Sequence, residues 1–297
     1  GQLRTMRYEC ARLFGVVPSG MWLAQGIWDP DIPALAHDAG YAFTLVDDSL
    51  ITHAELAQGL AVGIFETERY GKPLRLFPIS QELRRAITTS PPERAVEIVA
   101  RGGTWTYAGD ADNPGLWPEK LEEVREKRWL PELFDAVARA QQERVLATAL
   151  PSEILAVERP VARVQPTPNS RRETADPESD WLHRRMLRVS RKVARAERGQ
   201  GNMTVRSEDL ASARNDLYRS QASCTCRPGP TGDPPLPHLR RALYRHMLRA
   251  ENVVDPVKEG IRLTRTEPGP DDPPEVLVET PVLTCALASE GGCVAEL

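Results

Sequence analysis

Between residues 41 and 110 the chain repeatedly runs a short apolar, β-branched or aromatic stretch straight into acidic or polar residues. Tyr41–Val46 leads into Asp47–Asp48, and Thr104–Ala108 leads into Gly109–Asp110. Leu74–Ile79 leads into the helical pattern SQELRRAI. Runs of this length with those residues predict strands. The stretch around Leu130, Leu133, Phe134, Val137 and Ala138 carries helical spacing instead. Strands alternating with helices predict an α/β fold with a largely parallel sheet. Carboxylates at the strand ends fit an α/β barrel, where those ends face the active site, and fit other α/β architectures as well.

The rest of the chain changes character. Residues 151–180 are polar and turn-rich and read as a linker or surface excursion. Trp181–Arg198 is an amphipathic helix with Leu182, Met186, Val189 and Val193 on one stripe, and Asp180 is the expected N-cap. Further helices are expected over Glu208–Gln221 and His238–Ala250. The five prolines of Arg227–Pro237 exclude a regular helix between them. Glu275–Thr280 alternates like an antiparallel strand. Charge follows this division. Residues 181–250 carry 15 Lys+Arg against 5 Asp+Glu in a chain whose formal net charge is −4, so separate structural units are expected. A solvated face is the preferred reading of those arginines, because aromatic side chains for stacking on bases are sparse.

With 297 residues, 41% hydrophobic and 27% charged, the chain can bury one large core or two ordinary ones. It lacks an uncharged apolar run of bilayer length, so no membrane span is expected. The five cysteines (Cys10, Cys224, Cys226, Cys285 and Cys293) are odd in number and argue for a reducing, cytoplasmic setting over a disulfide framework. Cys224-x-Cys226 with His238 lacks the two-residue gap typical of zinc sites, so no metal is expected. His246, beside Leu243 and Met247, reads as a packed core histidine.

Two segments carry candidate chemistry. GMWLAQGIWDP (Gly20–Pro30) places Trp22 and Trp28 on one short stretch. Their ring faces suit stacking on sugars, and both equally suit a core. GDADNPGLWP (Gly109–Pro118) groups Asp110, Asp112 and Trp117. A carboxyl group at a strand end near an aromatic can serve as a general acid, and the same residues make an ordinary turn. Asp47–Asp48 carries the same pair of readings.

LFGVVPSGMWLAQGIWDPDIPALAHDAGYAFTLVDDS (Leu13–Ser49) strongly resembles the catalytic region of glycoside hydrolase family 57, of the α-amylase and 4-α-glucanotransferase type. GKPLRLFPIS, GDADNPGLWP, RRMLRVSRKVARAE and LPHLRRALYRHMLRAEN extend the resemblance in family order, and the tail from Pro273 resembles the opening of the family's C-terminal β-sandwich. The resemblance implies an incomplete (β/α)7-type barrel over residues 1–165 and a linker over 166–180. A helical domain over 181–260 and the beginning of a β-sandwich over 261–297 follow. Because the family's opening strands and His-Gln-Pro segment have no counterpart, and the chain opens at Gly1, an N-terminally truncated barrel is expected.

The same resemblance implies retaining chemistry on α-1,4-glucan oligosaccharides. Neither cofactor nor nucleic acid is implied, and homo-oligomerisation is left open. Asp110 falls at the acid/base position of the Asp-Gly-Glu-Lys-Phe-Gly pattern. Gln25 stands where Trp-Leu-x-Glu-Arg-x-Trp has its glutamate nucleophile. Trp22, Trp28, Asp48, Asp112 and Trp117 fall at substrate-contacting positions. A carboxamide is a poor nucleophile, so impaired turnover is expected.

Overall fold

The computed structural model describes residues 1–51, 62–109, 128–169, 177–200, 205–222, 237–255, 260–266, 275–288 and 294–296. The chain divides into two compact units, Gly1–Ser170 and Arg171–Leu297.

The first unit opens with helix α1 (Gln2–Phe14) and the short strand β1 (Gly20–Trp22). Helix α2 (Ile32–Asp38) and strand β2 (Phe43–Asp47) follow. Strands β3 (Phe65–Arg69) and β4 (Lys72–Ile79) form a hairpin. Its two-residue loop, Tyr70–Gly71, has φ of 54° and 71°, the twist that matches paired antiparallel strands. The five-stranded sheet has the order β1-β2-β4-β3-β5, with β5 at Ala162–Arg163. Strands β1, β2 and β4 are parallel, so their carboxyl ends share one edge. Gly20 sits opposite Phe43, and a Cβ there would fall 2.0 Å from the Phe43 ring. A glycine is therefore what lets β1 pair at that register.

One face of the sheet packs on α2 through Leu74, Leu76, Phe65, Val46, Ala36 and Trp28. These alternate strand positions, with the helix laid over them, form a layer of the kind expected when parallel strands are covered. The expected strand at Thr104–Ala108 reduces to a single parallel bridge, Thr106 to Ile79. Its carbonyls are divided between neighbours: Thr104 accepts from the Gly63 N–H and Thr106 from the Ser80 N–H, both at 3.0 Å.

Helices α3 (Gln81–Thr89), α4 (Pro92–Val99) and α5 (Trp129–Gln142) build a satellite core around Leu83, Ile98 and Trp129. Ser80 caps α3 by accepting from the Leu83 N–H at 3.1 Å. In α5 the buried positions are Trp129, Ala136 and Ala140. Phe134, expected on the apolar stripe, is instead 65% exposed. The Trp129 indole donates to the Ser90 carbonyl at 2.8 Å, which pins that register and turns Phe134 outward. A short helix α6 (Pro151–Val157) precedes β5.

In the second unit, α7 (Pro177–Glu197), α8 (Ser207–Ser220) and α9 (Pro237–Val254) close around Leu182, Val189, Val193, Leu217, Leu243 and Met247. The α7 stripe read from sequence is the buried one. The helix starts three residues before Asp180, at Pro177, whose fixed φ suits a first turn; Asp180 therefore stands at an interior helix position and not at the expected N-cap position. His246 has a polar partner, with Nδ1 2.7 Å from Asp216 Oδ1. Strands β6 (Arg262–Thr266), β7 (Glu275–Glu279), β8 (Thr284–Ala288) and β9 (Val294–Glu296) make a four-stranded antiparallel sheet.

Candidate functional site

The carboxyl ends of β1, β2 and β4 bring Trp22, the turn carrying residue 25, Asp47, Asp48 and Gln81 to one edge of the sheet. In α/β folds the carboxyl ends of parallel strands are where catalytic side chains are commonly placed. Trp22 ends β1 and is 43% exposed. The chain then turns through the 3₁₀ segment Ala24–Gly26, which carries position 25. Gly26 has φ of 65°, and a Cβ there would stand 3.1 Å from Asp47 Oδ2. The turn thus lies directly against the carboxylate that ends β2.

Asp47 Oδ1 accepts from Gln81 Nε2 at 2.8 Å and from Arg84 Nη1 at 3.1 Å. Asp48 Oδ2 accepts from the Gln81 N–H at 2.9 Å. Burial pushes the Asp48 carboxyl above the usual carboxylate range; the Gln81 N–H opposes that shift and the neighbouring Asp47 charge adds to it. The Thr106–Ile79 bridge carries the chain toward Gly109 beside the same strand. Asp110, Asp112 and Trp117 lie outside the described residues.

The two tryptophans of Gly20–Pro30 separate. Trp28 is 1% exposed in the main core and has no ring face free for a sugar, so its role is packing, while Trp22 keeps an accessible face. Residues that local reading missed complete the edge. Gln81 and Arg84 follow the β4 strand on the first turns of α3, a position the Ser80 cap signal indicates. Asn169 binds the backbone of Gly26 and Trp28, on the limb leaving the β1 turn, from 143 and 141 positions away, and nothing local to its sequence announces it.

Among the described residues no group of three or more His, Cys, Asp and Glu is placed to hold a metal ion. No described helix is long and apolar enough to cross a membrane.

Residues 1–167, more than half of the chain, match the family model for glycosyl hydrolase family 57. The chain belongs to that family. Within family 57, residues 173–254 match the model of the alpha-amylase/4-alpha-glucanotransferase middle domain. The family 57 chain is 26% identical to Alpha-amylase 1 of Dictyoglomus thermophilum, over 95% of its own length and 47% of that protein. It is also 26% identical to a 4-alpha-glucanotransferase of Thermococcus kodakarensis, over 83% of its length and 43% of the relative. It thus spans about half the length of the curated relatives it matches. The crystal structure of the 4-alpha-glucanotransferase from Thermococcus litoralis superposes with a TM-score of 0.79 at 22% identity, covering 98% of this chain and 50% of that one. The likeness establishes a shared α/β fold.

Proposed function

We propose that this family 57 chain acts on, or binds, α-1,4-glucan oligosaccharides of the starch type, with turnover lowered by Gln25. The observation that carries the reading is the carboxyl edge of the parallel strands. There an accessible Trp22, the turn bearing position 25 and the Asp47–Asp48 pair come together in a family whose curated relatives are named alpha-amylase and 4-alpha-glucanotransferase. Retention at an anomeric carbon needs two carboxyl groups about 5–5.5 Å apart, one as nucleophile and one as acid/base. Asp110 takes the acid/base role. Gln25 is neutral and does not efficiently form the glycosyl-enzyme ester, although its amide can hydrogen-bond a sugar hydroxyl. Trp22, Asp48, Asp112 and Trp117 contact the glucan.

A second reading, a non-catalytic α-glucan-binding protein, is favoured by one observation: an accessible aromatic face is kept beside a position that has lost its carboxyl group.

The test is Gln25→Glu, assayed with maltoheptaose for hydrolysis and chain transfer. The catalytic reading expects turnover to rise by on the order of 10³-fold or more, and Asp110→Asn in that background to abolish it. Maltoheptaose binding without turnover in the folded Gln25→Glu protein selects the binding reading. Neither binding nor turnover by a folded protein removes both.

A further inference from the structure

Position 25 sits on a turn with few supports of its own. The 3₁₀ segment Ala24–Gly26 is closed by two backbone bonds, Gly26 N–H to the Leu23 carbonyl at 3.1 Å and Ile27 N–H to the Ala24 carbonyl at 3.3 Å. It has no side-chain cap, and Gly26 holds a left-handed backbone angle. The limb leaving the turn is held from elsewhere. Asn169 Oδ1 accepts from the Trp28 N–H at 2.6 Å, and Asn169 Nδ2 donates to the Gly26 carbonyl at 3.2 Å. The Asn169 N–H adds a third bond to the Trp28 carbonyl at 3.2 Å.

A carboxamide offers an acceptor and a donor on adjacent atoms, matched here to one N–H and one C=O. Aspartate lacks the donor, and an aliphatic residue lacks both. The segment that runs from β5 to Asn169 is itself anchored. Val164 N–H donates to the Glu66 carbonyl at 2.8 Å and Thr167 N–H to the Leu50 carbonyl at 2.7 Å. Val164 shares the core cluster of Trp28 and Leu50. The clamp therefore runs from the sheet core to the turn on the catalytic edge.

We infer that Asn169 is a positioning residue of the glucan site, holding the turn that carries residue 25 and whose Gly26 lies against Asp47. The inference rests on the glucan reading above. A reacting group displaced by about 1 Å costs roughly 10²-fold in rate, and loss of this clamp frees the backbone immediately after position 25.

The experiment uses the full chain carrying Gln25→Glu as parent, with Asn169→Ala and Asn169→Asp added, and follows kcat and KM on maltoheptaose beside thermal melts. The Asn169→Ala protein is expected to lose on the order of 10–100-fold in kcat with KM little changed. Asn169→Asp keeps the acceptor for Trp28 N–H without the donor for Gly26, and is expected to fall between. If the parent binds maltoheptaose without turning it over, the same comparison is read in Kd; roughly tenfold weakening supports the role and an unchanged Kd overturns it. An unchanged kcat in an active parent, or a kcat loss that only tracks the folded fraction in the melt, overturns the positioning role and leaves the glucan reading standing. A folded parent with neither binding nor turnover overturns both.

Discussion

Replacing Glu251 with Gln is expected to destabilise the helical unit by about 3 kcal/mol at neutral pH and to remove much of its acid sensitivity. Glu251 is 7% exposed on α9. Both of its oxygens are taken by the Arg185 guanidinium of α7, and Oε1 also accepts from Lys192 Nζ at 2.6 Å. Lys192 reaches on to Asp255 at 2.8 Å. Burial pushes the Glu251 carboxyl up, but the hydrogen bonds and charge of Arg185, then those of Lys192, outweigh it and lower the group from 4.5 to about 2.

Each unit of such a difference is worth about 1.4 kcal/mol, so the pair of charges contributes about 3 kcal/mol. The sign follows from a native value below the unfolded one. The unfolded chain takes up the proton first, so the contribution is complete above about pH 5, declines as pH falls, and is gone below about pH 2. In the Gln variant Arg185 stays buried beside a neutral amide, a loss in the range of about 3–5 kcal/mol measured when one partner of a buried pair is removed. For a unit of this size that is a drop of roughly 10–20 °C in melting temperature. Calorimetric melts of wild type and Glu251→Gln at pH 7, 5, 4 and 3 check it. Carboxylates common to both proteins cancel, so the gap between the two should close toward low pH. A gap that stays constant from pH 7 to 3, or no gap at pH 7, refutes the assignment of this stability to Glu251.

The two tryptophans of the β1 segment should respond in opposite ways. Trp28→Ala is expected to cost about 3–5 kcal/mol of stability, read from denaturant or thermal unfolding. Trp22→Ala should cost under about 1 kcal/mol while weakening maltoheptaose binding in calorimetry. Gly26→Ala should cost about 1–2 kcal/mol, because its φ of 65° strains any residue with a Cβ. The added methyl also presses on Asp47, so glucan binding should weaken with it, which the same melts and titrations would show.

Much of the architecture is legible without coordinates because it is written in short-range pattern. Leu74–Ile79 and Tyr41–Val46 announce strands through consecutive apolar and β-branched residues, and the structure forms β4 and β2 over them. The stripe of Leu182, Met186, Val189 and Val193 announces α7 by its period and supplies the core contacts of that helix. Boundaries and faces were less legible where tertiary contacts compete with local preference. Trp129, bonded to Ser90, sets the buried face of α5 and leaves Phe134 in solvent. Thr104–Ala108 has a strand's composition but divides its carbonyls between two neighbours.

The site shows the same division at finer scale. Residue identity by itself determined that position 25 carries a carboxamide and that carboxylates end β2, since those facts depend on no contact. Which tryptophan offers a face to solvent was decided only by packing, because Trp22 and Trp28 each follow a glycine and an apolar residue and differ in whether the core closes over them. The hold on the turn was likewise decided only in three dimensions. Asn169 meets Gly26 and Trp28 across 143 and 141 positions, and a hydrogen bond spanning that separation leaves no periodicity or composition for a local reading to detect.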